Sequence, residues 1–231
     1  PQPASSGAVL SPDMGHVLES GLGPQDEHVS KQILRSYDIP VVWEKLAANV
    51  EECLSAADDM GYPLVMKGIV PGGIHKTEMG LVHVGIPDRK TAADMFAVLT
   101  KKMNDRGKVL LQQQVSGKVE LILGLIRDPQ LGPCVMLGIG GIMAEVFNET
   151  VFAVAPLSRE DALGLMERFR GKKLLEGFRG TPAVDKEKLA AVLIALGNIA
   201  ISYPRVREID INPLIITPTG AIAVDATIVL G

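Results

Sequence analysis

Between Lys108 and Ala155 four apolar runs follow one another, KVLLQQQV, VELILGLIR, PCVMLGIG and VFNETVFAVA, with only short turns between them. Strands in succession across tight turns argue an antiparallel sheet. The chain before them has a different rhythm. DEHVSKQILRSY repeats apolar residues at Val29, Ile33 and Tyr37, a helical stripe that runs into the strand-like IPVVWE. NVEECLSAADDM sets Val50, Leu54 and Ala57 on one side and stops at Gly61. YPLVMK then reads as a short buried strand, LVHVGI as another, and TAADMFAVLTKKM as a helix with Ala92, Met95, Phe96 and Leu99 inward. After the strand series come two helices, SREDALGLMERF and DKEKLAAVLIALGNIAISY, and a last strand pair, VREIDIN and AIAVDA. The expected class is α/β (α+β) in two subdomains, 25–106 and 107–231, split at the charged turn KKMNDRGK and preceded by a flexible tail or linker over 1–24.

A chain of 231 residues, 47% hydrophobic and 22% charged, is long enough to bury such cores. A net charge of -4 and a pI near 5.6 give no general attraction to polyanions, so neither nucleic acid nor an anionic lipid surface is an expected partner. The longest apolar run, LAAVLIALGNIAI, falls short of the roughly 20 residues of a membrane helix, so no membrane span is expected. PQPASSGAVLSP lacks the basic start and long apolar core of a signal peptide. Cys53 and Cys134 have neither metal-ligand spacing nor a disulfide framework, which points to a reducing cytoplasm.

Candidate chemistry gathers in four stretches. In VMKGIVPGGIHKTEMG, Lys67 ends an apolar strand and a Pro-Gly-Gly turn delivers His75. Backbone amides at Gly72 and Gly73 can face an anion that the lysine clamps, although no Walker spacing is present. The alternative is a lysine whose stem lies over the turn with its head in water. A neutral imidazole at His75 can take up a phosphoryl group, with Glu78 orienting the ring, or the histidine is simply solvated. His83, alternating with Val82 and Val84, reads as structural.

QQQVSGKVEL places Glu120 across a turn from Gln112, Gln114 and Val115, as a ribose-binding carboxylate near a base-pairing backbone or as an ordinary hairpin. REIDINPL puts Glu208, Asp210 and Asn212 on one strand face, and pairing around TPTG brings Asp225 towards Asn212. Carboxylate and amide oxygens suit Mg²⁺, whereas clustered like charges otherwise repel. LGIGGI lacks the GxGxxG spacing and reads as a turn needing close backbone approach, with Glu145 beyond it as a further site carboxylate or a surface residue.

Together these segments resemble the ATP-grasp domain of the NDP-forming acyl-CoA synthetases, the β subunit of ADP-forming acetyl-CoA synthetase. SYDIPVV, GYPLVMKG, IHKTEMG, VELILGLIRDPQLGP, MLGIGGIMAEV, KLLEGFRG and EIDINPL run in family order over about residues 25–231, and EIDINPL followed by VDA also resembles succinyl-CoA synthetase β chains. The chain departs from the pattern at Gly80-Leu81, where the family has two glycines, and at Glu149, where it has Asp. The resemblance implies an ATP-grasp fold with the nucleotide bound between two subdomains. It implies that Lys67, Gly72 and Gly73 hold phosphates, that Gln112, Gln114, Val115 and Glu120 hold adenosine, and that Asp210, Asn212 and Asp225 hold Mg²⁺. His75 matches the family's second phosphohistidine.

The implied activity is that of an acid–thiol ligase. It converts acyl-CoA, phosphate and ADP reversibly to acid, CoA and ATP, with ATP/ADP and Mg²⁺ at this chain. An α subunit or domain carrying the CoA-binding region and the first phosphohistidine would complete a hetero-oligomer and meet the small acyl substrate. Two other classes compete: a nucleotide-sensing module of a synthetase-like or acetyltransferase fusion, and a carboxylate–amine ligase. Neither needs His75.

Overall fold

The computed structural model describes residues 12–70, 80–141, 149–177 and 183–231. In chain order its elements are α1 (Pro12–Ser20), β1 (Gly23–Pro24), α2 (Glu27–Ser36), β2 (Glu44–Ala47), α3 (Val50–Met60), β3 (Leu64–Ile69), β4 (Val82–Ile86), α4 (Arg89–Lys102) and β5 (Lys108–Gln113). There follow β6 (Val119–Asp128), β7 (Gly132–Ile139), β8 (Thr150–Val154), α5 (Arg159–Arg168), α6 (Lys172–Leu175), α7 (Lys186–Ser202), β9 (Val206–Thr217), β10 (Gly220–Ala223) and β11 (Ala226–Leu230). Helix starts are set by short polar side chains: Asn49, Asp88, Ser158 and Asp185 each accept from a backbone N–H three residues on. Among the described residues no helix is long and apolar enough to cross a membrane.

The first unit consists of Asp26–His28 and Val42–Val115. Its four strands lie in the order β2-β5-β3-β4, each pair antiparallel. Leu64 and Met66 of β3 and Val109 and Leu111 of β5 pack with Cys53, Ala56 and Ala57 of α3 and with Ala92, Phe96 and Leu99 of α4. Side chains alternate along a strand, so Val65, Lys67, Leu110 and Gln112 occupy the face away from those helices.

The second unit takes 12–25, Val29–Val41 and Ser116–Gly231. Its sheet runs β1-β11-β9-β6-β7-β8, with β10 folding back on β9. α7 supplies Leu189, Leu193 and Leu196 to a core with Leu121, Leu123 and Leu125 of β6 and Val135 and Leu137 of β7.

Several expectations are corrected. Residues 12–24 are not a tail: they form α1 and β1, Leu18 is fully buried, and β1 pairs with β11. The strand near IPVVWE is Glu44–Ala47, and Val41 makes only an isolated bridge to Ala223. β5 does not open the second sheet, because Val109 and Leu111 are buried among α3 and α4, so the division falls after Val115 rather than at 106. Lys67 lies fourth of six in β3 rather than at its end.

Candidate functional site

On the face of the first sheet away from α3 and α4, register sets Glu44, Gln112 and Val65 side by side and Lys67 beside Leu110. These polar groups are withdrawn from water: Lys67 is 5% exposed, Glu44 6% and Gln112 0%. A buried charge needs a partner, and the first turn of α2 provides one. Lys67 Nζ donates to Glu27 Oε1 at 2.7 Å, with Glu27 itself buried. The next residue repeats the device, His28 Nδ1 donating to Glu44 Oε1 at 2.7 Å. Lys67 is therefore not a surface lysine with its head in water. Gln114 follows the end of β5, and its Oε1 is buried without a hydrogen-bond partner among the described residues. Leaving such an acceptor unmet costs about 1–3 kcal/mol, which a ligand N–H would relieve. Val115 beside it is half-buried.

Glu120 belongs to β6 in the second unit, so the Gln112 to Glu120 stretch is a crossing from one sheet to the other and not a hairpin. The glycines of LGIGGI pack directly on it. Gly140 N donates to the Glu120 carbonyl at 2.8 Å, and a Cβ on Gly141 (φ +60) would stand 2.6 Å from Glu120 Oε2. That turn therefore does need a close backbone approach.

Asp210 and Glu208 share one face of β9, opposite Gly124 and Ile126. Asn212 continues that face, because Ile122, which it stands against, alternates with Gly124 and Ile126 along β6, and Ile209, Ile211 and Leu214 point into the core. Between the pairs Leu123–Ile211 and Leu121–Leu214, Asn212 and Pro213 stand opposite Ile122 alone, a bulge that re-aims the strand. Asp225 sits in the short link between β10 and β11, not on a strand, and its carbonyl accepts from Asn212 N at 3.1 Å. Burial first, and then the Glu208 and Asp225 charges, push the Asp210 carboxyl up to about 6. Two half-buried acids beside an exposed amide make a donor set of oxygens that a hard cation would relieve of its repulsion. Among the described residues no three His, Cys, Asp or Glu side chains gather as a metal-holding group. Mg²⁺ needs no such cage, because one or two carboxylates with substrate phosphates and waters suffice.

His75, Gly72, Gly73, Glu78 and Glu145 lie outside the described residues. Sequence reasoning missed Glu27, His28 and Glu44; the available signal was acidic Glu44 inside the otherwise apolar VVWE.

A family model described as an ATP-grasp domain matches residues 16–230. Acetate–CoA ligase (ADP-forming) I subunit β of Pyrococcus furiosus is 38% identical over 213 residues, 90% of this chain and 92% of that subunit. Acetate–CoA ligase (ADP-forming) I of Archaeoglobus fulgidus is 33% identical over 86% of this chain, which spans 30% of that longer protein. Among solved structures, the dinucleotide-forming acetyl-coenzyme A synthetase 1 of Ca. Korarchaeum cryptofilum superposes with a TM-score of 0.82 at 35% identity, covering 94% of this chain and 98% of its own. That structure holds coenzyme A and Mg-AMPPCP, with its phosphohistidine segment pointing towards the nucleotide binding site. The chain belongs to the ATP-grasp domain family, in the branch that contains the β subunits of ADP-forming acetate–CoA ligases.

Proposed function

We propose that the chain is the nucleotide-binding β part of an ADP-forming acyl-CoA synthetase, interconverting acyl-CoA, ADP and phosphate with acid, CoA and ATP. The observation that carries this reading is near-complete coextension with a separate β subunit, 90% of one chain against 92% of the other. The geometry supports it. Lys67, held by Glu27, offers a desolvated ammonium to phosphate oxygens. Gln114 Oε1 offers an unmet acceptor to a base amino group, beside Gln112 and Val115, and Glu120, braced by Gly140, offers a carboxylate to ribose hydroxyls. Asp210, Asn212 and Asp225 would hold Mg²⁺, which neutralises phosphate charge when bound.

His75 carries the covalent step. Its ring nitrogen attacks the phosphoryl group held on the partner's histidine, so one P–N bond forms as the other breaks. An oxygen of the ADP β-phosphate then attacks, the new P–O bond gives ATP, and the histidine leaves as neutral imidazole. Gly72 and Gly73 would give the phosphoryl group backbone N–H donors. The CoA-binding region, the first phosphohistidine and the pocket for the small acyl substrate belong to an α subunit or domain in a cytoplasmic hetero-oligomer.

The test is label transfer from γ-labelled ATP with Mg²⁺ to the purified chain, alone and with an α partner. Acid-labile, base-stable phosphate is expected in the wild type and absent in His75→Ala. Equal label in the variant sinks the role of His75. No label in either, while ATP still binds, returns the chain to a nucleotide-sensing module.

A further inference from the structure

We propose that Lys31 is a positioning residue for Asp225, setting the direction in which that carboxylate meets a divalent cation. The inference rests on the metal role proposed above for Asp225. Lys31 is fully buried on α2, where a lysine is rare because its ammonium must be compensated. Packing alone would be served by leucine or methionine, as at the neighbouring buried Ile33 and Leu34. Its Nζ instead crosses 193 positions of sequence to donate to the Val224 carbonyl at 3.2 Å. That carbonyl is half of the peptide unit that leads into Asp225.

Further bonds anchor the link on either side of that carbonyl. Ala223 N donates to the Pro40 carbonyl at 2.9 Å and Val224 N to the Pro213 carbonyl at 3.0 Å, while the Asp225 carbonyl accepts from Asn212 N at 3.1 Å. On the far side, Ile228 N donates to Ser30 Oγ at 3.1 Å, from the residue preceding Lys31. Asp225 Oδ1 accepts from Ala226 N at 2.9 Å, which orients the carboxylate relative to its own backbone. Lys31 adds a cationic donor to this frame, aimed at the peptide plane that fixes where the Asp225 side chain emerges.

Removing the ammonium has two opposed effects. A nearby positive charge repels a cation, so its loss alone would tighten metal binding. Leaving the Val224 carbonyl without this donor lets the link relax and misaims the carboxylate, which weakens binding. Misaiming is the stronger effect, because Mg²⁺ demands near-ideal octahedral geometry and a small displacement of one ligand is enough to lose it.

The experiment is calorimetric ADP binding to the full chain with Mg²⁺ and with EDTA, in wild type, Lys31→Met, Lys31→Gln and Lys31→Arg. Lys31→Met is expected to weaken binding with Mg²⁺ roughly tenfold and leave the EDTA value within about twofold. Lys31→Gln, which keeps an N–H donor on a shorter stem, is expected to lose a similar factor, and Lys31→Arg to recover most of it. Unchanged or tighter Mg²⁺-dependent binding in the neutral variants overturns the inference. So does equal weakening with and without metal. If both neutral variants fail to fold, Lys31 serves the fold alone and the inference falls. A wild type whose ADP affinity ignores Mg²⁺ removes the metal reading itself, a failure that the variants are not needed to detect.

Discussion

Lys67 and Glu27 are both out of water and pair at 2.7 Å, each offsetting charge on the other. Removing one partner of a buried ion pair typically costs about 3–5 kcal/mol, since the other charge stays buried and loses that counter-charge. Glu27→Gln is expected to lower stability by about 3 kcal/mol without nucleotide, measured by urea denaturation. Saturating ADP should narrow that gap, because its phosphates supply the missing negative charge; an unaltered gap would take Lys67 out of the phosphate site. Asp210 behaves in the opposite sense. Its folded value of about 6 lies above the ordinary aspartate value of about 3.9, so the folded state favours the protonated acid. Stability from this group is present below about pH 4 and lost as pH rises through about 6. Asp210→Asn should match the wild type near pH 4 and exceed it at pH 7 by about 1–2 kcal/mol in EDTA, a figure discounted for partial exposure. Parallel stability curves from about pH 4 to 8 for the two proteins would refute the assignment.

At the scale of elements, what places these groups is departure from regular structure. The β9 bulge doubles Asn212 and Pro213 against Ile122 at the end of the Asp210 face, and the β10–β11 link brings Asp225 to Asn212 through the backbone. Strand alternation puts Glu208, Asp210 and Asn212 in one row, in line with the pairing to β6, whereas the extra residue between Ile211 and Leu214 is set by that pairing and no local pattern in REIDINPL encodes it. Lys67 looks like a strand end in sequence because Gly68 interrupts the apolar run, yet Gly68 N donates to the Leu81 carbonyl and β3 continues to Ile69. The turn at Gly140 and Gly141 is legible, since glycine pairs after a strand need a physical reason. Its steric cause gives a prediction. Gly141→Ala forces a Cβ into Glu120 Oε2 at 2.6 Å and strains a backbone at φ +60. It should cost about 1–3 kcal/mol and weaken ADP binding several-fold through a displaced Glu120. An unchanged ADP affinity in a destabilised but folded variant would show that Glu120 does not touch the nucleotide.

For the whole molecule, the α/β class and the family are readable from seven short segments in order, because their residues are dictated by local turn and strand chemistry. The unit boundaries are not, because they depend on long-range partners: β5 joins β3 by pairing Lys67 with Leu110, and β1 joins β11 at the other end of the chain. The same long-range construction means that a ligand binding only the folded chain is felt as global stability. Excess ADP at one hundred times its dissociation constant adds about 2.7 kcal/mol, which for a chain of this size raises the melting temperature by roughly 5–10 °C. With Mg²⁺ the wild type should show that shift, and in EDTA a much smaller one. Asp225→Ala removes one of the two carboxylates and the Oδ1 bond to Ala226 N, so its own melting point should fall modestly. Its response to ADP should be the same with Mg²⁺ as with EDTA. A full Mg²⁺-dependent shift in Asp225→Ala would move the cation to other residues, because linkage registers binding wherever in the fold it occurs.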